Sequence, residues 1–430
     1  AVLVSSNTAA TNKTITGGSI KAFSASYTGG TTNNSNVITS VTSTSNLTVG
    51  MPISGSGIPS GAYITAINGN SITISANATA TNAGVALTTQ TPDLIFHQYG
   101  QGTLTVASTI TGNSSLTIAG PATTSPEQFG TTGVVKLTGN NTYTGATYVT
   151  GSVLEISDTA ALGINPASVT NGHLTLNGGT LRWTGGVASL GNRGIDLQGG
   201  GGVIDVVNET GNLIVGTGIS GTQASVTSNQ IFRGDLVKMG AGSLTFLGNN
   251  ASFQGLMDVR EGSLIVMADN GNANAGSTTL LGTSRTLADG TILRTGTNFQ
   301  AFLGNGNNGG DWNIEEFFTF EGSNTFTYGS LLDINANLAV DSLTDQLNLG
   351  SRRPLNLNGV LNLQGTATFD VTSNGILRLN NSSGYLTGSG DIVKDGQGQL
   401  HFRANTPDWK GNLVIKQGAV YAGNQADVLG

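Results

Sequence analysis

The sequence predicts an all-β chain built mainly as a β-solenoid, with a small separate β module near its start. Three observations predict it. One unit occurs three times along the chain, apolar residues alternate with period two between glycine-bearing turns, and the composition is rich in glycine but poor in charge. The stretch from Gly234 reads GDLVKMGAGSLTFLGNNASFQGLMDVREGSLIV, and the stretch from Gly390 reads GDIVKDGQGQLHFRANTPDWKGNLVIKQGAVYAG. They align without a gap, pairing Gly242 with Gly398, Phe246 with Phe402, Phe253 with Trp409 and Gly262 with Gly418. A third copy, VVKLTGNNTYTGATYVTGSVLEI, runs from Val134 to Ile156. Fixed glycines around period-2 apolar runs describe short strands joined by set corners.

Composition points the same way. A single globular core rarely grows to 430 residues, whereas a solenoid rung contacts only its neighbours. The 65 glycines lack a G-X-Y period, which excludes a collagen helix. Only 10% of the residues are charged and the net charge is −7, while β-branched residues are plentiful, so the chain is expected to be ordered. The 17 Lys and Arg form no basic stripe in the sequence, so nucleic acid is not an expected partner. No cysteine is present, which excludes disulfides and thiol chemistry. No run of apolar residues is long enough for a membrane span.

Taken in order, residues 1–24 hold one alternating stretch, from Thr14 to Phe23, readable as a cap strand or as a linker. Residues 25–90 differ from the rest. Ala62–Ile67 and Ser71–Ile74 are alternating strands joined through Asn68-Gly69, a strong hairpin signal, and Gly57–Gly61 forms another turn. Residues 91–430 are rung material, with copies near 134–163, 234–267 and 390–430. Pro121–Thr132 lacks alternation and is expected to protrude. An aromatic-rich insertion near 298–330 interrupts the pattern. The chain closes on Asp427-Val428-Leu429-Gly430, similar to Ala161-Leu162-Gly163, where further rung text follows. The expectation is that the segment continues into a longer polypeptide or stacks end to end with further copies.

The pattern of Leu137, Gly139, Asn141, Tyr143, Gly145, Thr147, Val149, Gly151 and Leu154 resembles the autotransporter-associated β-strand repeat of bacterial type V passenger domains. Gly242, Leu244, Phe246, Gly248, Asn250, Phe253, Gly255, Val259 and Gly262 repeat it. Gly398, Leu400, Phe402, Asn405, Trp409, Gly411, Ile415 and Gly418 do so again, with Arg403 and Ala404 near the usual glycine. The resemblance implies a right-handed parallel β-helix exported to the bacterial cell surface or the extracellular space. Residues 25–90 resemble a small β module of bacterial surface proteins and phage structural proteins, which implies a spacer or decoration.

Candidate chemistry is sparse. His97, His173 and His401 are far apart in sequence, and no zinc-protease, nucleophile-elbow or P-loop pattern occurs. Asp333, Asp341 and Asp345 are too loosely spaced to define a calcium loop, and no cofactor is expected. The insertion near 298–330 concentrates Trp312, Phe317, Phe318 and Tyr328, candidates for contact with a glycan or partner. Asp311, Glu315, Glu316 and Glu321 are the alternative, catalytic carboxylates of a polysaccharide hydrolase or lyase, which needs two carboxyl groups close together. A third reading packs this segment over the coil. The favoured function is a non-enzymatic extracellular rod for adhesion or assembly, presenting a polar Asn/Thr/Ser/Gly face to glycans, surfaces or further copies.

Overall fold

A computed structural model describes residues 2–3, 12–21, 24–45, 47–90, 94–121, 133–221, 234–247, 253–268, 281, 290–303, 312–314, 316–329, 354–379, 386–403, 406 and 408–423. Outside the module, every strand pairing among the described residues is parallel, and each strand inside a sheet pairs with one strand a rung before it and one a rung after it. The result is a parallel β-helix with three faces.

The first face is a seven-stranded sheet that begins with Val2–Leu3 and Leu94–His97 and ends with Ile219–Gly221. A five-stranded sheet from Trp312–Ile314 to Ala419–Ala422 takes the same place in the later rungs. The second face is one twelve-stranded sheet running from Lys13–Ile15 to Leu386–Gly388. The third face is a nine-stranded sheet from Val187–Ser189 to Leu413–Ile415; in the first rungs, Ser19–Lys21 pairs with Thr109–Thr111 there. Parallel pairing lets each inner strand bond to the rungs on both sides, which satisfies buried backbone groups without long-range crossovers.

The coil therefore begins before residue 91. Lys13–Ile15 pairs with Leu104–Val106 and Ser19–Lys21 with Thr109–Thr111, so the first 21 residues already supply one rung. The module interrupts the coil between rungs, and that interruption hides the continuity in the sequence. Residues 24–90 form two three-stranded antiparallel sheets around their own buried cluster of Ile38, Ile53, Ile64, Ile72, Ile74 and Leu87. Asn68 and Ser71 pair across the expected hairpin, where Gly69 has φ +57°.

Inside the coil one apolar cluster runs continuously from Leu94 to Trp409. Inward positions stack in register from rung to rung, as in Leu154, Leu181 and Ile204 on the second face. Fully burying one such side chain contributes roughly 1.5–3 kcal/mol.

The three repeat copies occupy three different orientations. The strand that opens the shared pattern is Val134–Leu137 on the second face, Ser243–Leu247 on the third and Gln399–Phe402 on the first. The aromatic that follows shifts in step. Tyr143 lies in the turn on the third side, Phe253 bridges to Gly221 on the first face, and Trp409 bridges to Gly388 on the second. All three rings are buried. Each copy is rotated by one face relative to the copy before it, so the same sequence serves any side of the triangle.

Candidate functional site

The aromatic insertion is core. Phe318, Phe320 and Phe326 are fully buried and Tyr328 nearly so, which overturns the expectation that Phe318 and Tyr328 contact a glycan. Their strands continue the second and third faces, and period-2 alternation turns these rings inward. There they form a stack with neighbours above and below. Phe299 lies 5.2 Å from Phe318 and 4.9 Å from Phe326, and Phe369 lies 5.8 Å from Phe326. Phe317 is half-buried in the turn before them. Trp312 belongs to a first-face strand that pairs with Leu355–Leu357.

The carboxylates of the alternative reading are held by structural partners. Glu316 is buried and accepts a hydrogen bond from the Thr291 hydroxyl at 2.9 Å. Glu321 pairs with the Arg294 guanidinium, which also holds Asp258 at 2.8 Å. Asp311 and Glu315 lie outside the described residues, as do Asp333, Asp341 and Asp345. Among the described residues no group of three or more His, Cys, Asp or Glu is placed to hold a metal ion. The three histidines sit on well-separated rungs.

Charges that look scattered in the sequence stack on the outer surface of the second face. Lys136, Glu155, Arg182 and Asp205 occupy one register line on four successive strands. Lys136 and Glu155 are 2.8 Å apart, and Arg182 and Asp205 are 2.9 Å apart. Further along, Arg260, Asp258, Arg294 and Glu321 form a second group of alternating sign. Partners one rung apart lie about 4.8 Å away along the sheet, so a separation of some twenty residues in sequence conceals these pairs.

A second feature is the corner that precedes the opening strand of copies two and three. Lys238 and Lys394 are both 0% exposed. The Lys238 ammonium donates to the carbonyls of Met239, Gly240 and Glu261 at 2.7, 2.8 and 3.1 Å. Lys394 repeats this with Asp395, with Gly396 at 2.7 Å and with Gln417 at 3.2 Å. Three ammonium protons meet three carbonyls, two from the lysine's own corner and one from the corner of the next rung. Gly240 has φ +77°, and a Cβ there would lie 2.2 Å from the Val206 carbonyl, so the corner admits only glycine. Burial pushes Lys238 down to about 8, against the pull of Asp205 and Glu261. Lys394 is lowered too, again by burial first.

Copy one closes differently. Asn141 accepts from the Ile110 amide at 2.8 Å and donates to the Ala161 carbonyl at 2.6 Å, tying three rungs together. Tyr143 donates or accepts with Thr147 at 2.6 Å, and burial pushes its hydroxyl up to about 12. Nearby, the buried Arg193 donates to the carbonyls of Gly163 and Leu190 at 2.6 and 3.1 Å.

The corners are unequal. Turns from the second to the third face are three to five residues long at 184–186, 207–211, 240–242, 260–262, 294–297, 321–323, 364–366 and 389–391. Of the longer connections, 22–93 with its module, 120–133, 222–235, 304–311 and 330–354 each begin or end at a first-face strand, and 269–290 joins a third-face strand to a second-face strand. Variable loops on a rigid frame are the usual carriers of recognition.

These features define a class: a three-faced parallel β-helix assembled from a rotating repeat. Comparison with known proteins gives the repeat its family. The model of the Passenger-associated-transport-repeat matches residues 132–156 and 236–266, the first two copies. In those two stretches the chain is similar to the repeats of autotransporter passenger domains. It is 32% identical over 283 residues to the Adhesin BmaC autotransporter of Brucella suis biovar 1 (strain 1330), a match covering 63% of this chain and 7% of that protein. No solved structure matches it. The third copy lies outside the matched residues but shares the buried-lysine corner with the second.

Proposed function

We propose that this chain is a non-enzymatic segment of a bacterial surface or extracellular rod that acts in adhesion. The observation that carries the reading is the passenger-type coil itself, similar in sequence to a protein named as an adhesin autotransporter. A coil in which every rung supports the next extends a chain away from the cell without disulfides. Its turns from the second to the third face are short, which suits lateral contact of that corner with a glycan or another surface. The carboxylates weighed for sugar cleavage support this reading, because Glu316 and Glu321 are tied to Thr291 and Arg294 within the wall. No helix among the described residues is long and apolar enough to cross a membrane.

The test uses the chain of residues 1–430 coupled to beads. Retention on extracellular matrix or cell layers above that of blank beads is expected, with no new reducing ends in polysaccharide incubated with the protein. Catalytic release of sugar fragments, or retention equal to the blank, would overturn the reading.

A further inference from the structure

The pairing of the first face has an irregularity in the strand Thr170–Asn177. Thr170 stands opposite Arg193, and the next pair on these strands is Leu174 with Ile195, so Asn171, Gly172 and His173 oppose the single residue Gly194. On the other side, pairing with Thr147–Thr150 also begins only at Leu174. Extra residues on one strand form a bulge, and Gly172, with φ +70°, supplies the conformation that it needs. Thr170 and Asn171 are exposed, whereas His173, which ends the bulge, is only 6% exposed.

His173 is buried beside a cation that no acid balances. Arg193 is 3% exposed, and its partners are neutral: the carbonyls of Gly163 and Leu190 and, at 3.4 Å, the side-chain oxygen of Asn165. Two atoms of this cluster, Arg193 Nε and His173 Nδ1, are buried without a hydrogen-bond partner. Such atoms are few in folded proteins, and each calls for an explanation. Tyr143 completes the cluster as a buried neutral hydroxyl bonded to Thr147. The other titratable groups on the two flanking strands are Tyr148 and Asp196, both in register with Thr175. Asp196 accepts from the Ser220 hydroxyl at 2.8 Å. Across the corner, Arg182 and Asp205 pair with each other on the second face.

We propose that the bulge at Asn171–His173 is an acid-sensitive latch: a proton on His173 opens this segment and loosens the rung to which it belongs. With a neutral ring, the cluster holds one buried charge. A proton adds a second of the same sign, and an unpaired buried charge is costly. Opening relieves that cost at little loss of pairing, because residues 171–173 are in register with neither flanking strand and the bulge starts at the surface. The direction of the shift agrees. Burial lowers the pKa of His173 from the ordinary 6.5; the Thr144 carbonyl opposes this and Arg193 adds to it. Below 6.5 the open segment therefore holds more protons than the closed one, so the closed form loses stability as pH falls. The latch does not depend on the adhesive reading; it sets the pH range over which this rung stays shut.

The experiment follows amide hydrogen exchange of the 1–430 chain at pH 7 and pH 5, corrected for the intrinsic pH dependence of exchange. Peptides covering 170–176 should lose protection several-fold at pH 5. Peptides covering 71–74, in the module, should keep theirs. His173→Gln, which cannot take up the proton, should remove the pH-dependent part of the loss. Equal protection of 170–176 at both pH values would overturn the proposal. So would a His173→Gln chain that loses as much as the parent, since the loss would then belong to carboxylates such as Asp196. If His173→Gln does not fold, NMR titration of the His173 ring in the parent chain carries the test. A midpoint below that of the urea-unfolded chain is expected, and one at or above it would overturn the latch.

Discussion

Copies two and three carry the same ungapped pattern on different faces, and the comparison separates what the repeat requires from what its surroundings supply. Both bury a lysine whose ammonium meets three carbonyls across two rungs. Both place a large ring, Phe253 or Trp409, inside the following corner. The acid beside the corner is not shared. In copy two, Glu261 of the next rung accepts from the Gly240 amide at 2.9 Å; in copy three, Asp395 of the same corner accepts from Gly396 at 2.8 Å. The cation and the ring therefore belong to the repeat, while the carboxylate is filled in locally. A corner that works on either face does not depend on which side of the triangle it closes.

The rings give the largest effect with which to break this comparison. Phe253→Ala and Trp409→Ala each open a cavity in a continuous core and should cost about 3–5 kcal/mol. Trp409 also donates its indole N–H to the Gly390 carbonyl at 2.8 Å, a bond that Phe253 cannot make. Urea unfolding of both variants should show similar losses, with Trp409→Ala the greater by about 1 kcal/mol. A loss at only one site would mean that the two faces are not equivalent.

The lysines come next. Lys238→Met and Lys394→Met keep most of the packing volume but leave three buried carbonyls short of a donor. Breaking a buried charged network costs about 3–5 kcal/mol, and the apolar replacement returns part of that, so a net loss of roughly 2 kcal/mol per site is expected. Limited proteolysis should then cut near 240 in one variant and near 396 in the other. Equal resistance to that of the parent chain would show that the ammonium contributes nothing.

How much of this was legible in the sequence divides along the length scale of the interaction. Period-2 alternation and corner glycines act within one strand or turn, so the coil, the three copies and the Asn68-Gly69 hairpin could be read directly. The aromatic insertion misled because Phe318 and Tyr328 were judged by their density, whereas their alternation with Thr319 and Thr327 turns them inward. Charge stacking depends on rung length. Glu155 and Arg182 are 27 positions apart and Arg182 and Asp205 are 23 apart, so no fixed period marks the ladder. The buried lysine did leave a signal, the same K two residues before a corner glycine in both copies, but an isolated lysine reads as a surface residue.

The pH dependence sharpens the contrast between the lysine corners and the tyrosine corner of copy one. Lys238 falls from an ordinary 10.5 to about 8. Between those values the unfolded chain holds a proton that the folded chain has released, so stability rises with pH across this window. Tyr143 moves from 10.0 to about 12. Between those values the folded chain keeps a proton that the unfolded chain has lost, so stability falls as pH rises. The melting temperature should climb from pH 8 towards 10 and then decline. Lys238→Met should flatten the climb and Tyr143→Phe the decline; a Tyr143→Phe profile that still declines as steeply would assign the loss to other groups.

The smallest effect concerns the ladder on the second face, which sets copy one apart from the other two. Lys136 sits on the opening strand of copy one and pairs with Glu155 at 2.8 Å, but its side chain is 37% exposed. Water screens such a pair, and holding two flexible side chains together costs entropy, so Lys136→Ala should lose less than about 1 kcal/mol. Arg182 lies between Glu155 and Asp205, at 3.9 and 2.9 Å, and is the less exposed cation. Its removal leaves two carboxylates two rungs apart with no cation between them and should cost more than removal of Lys136, although both losses should shrink in molar salt. A double-mutant cycle on Lys136 and Glu155, run at low and high salt, measures the coupling. A coupling above 2 kcal/mol that survives high salt would make the ladder a determinant of rung register, on a par with the buried lysines.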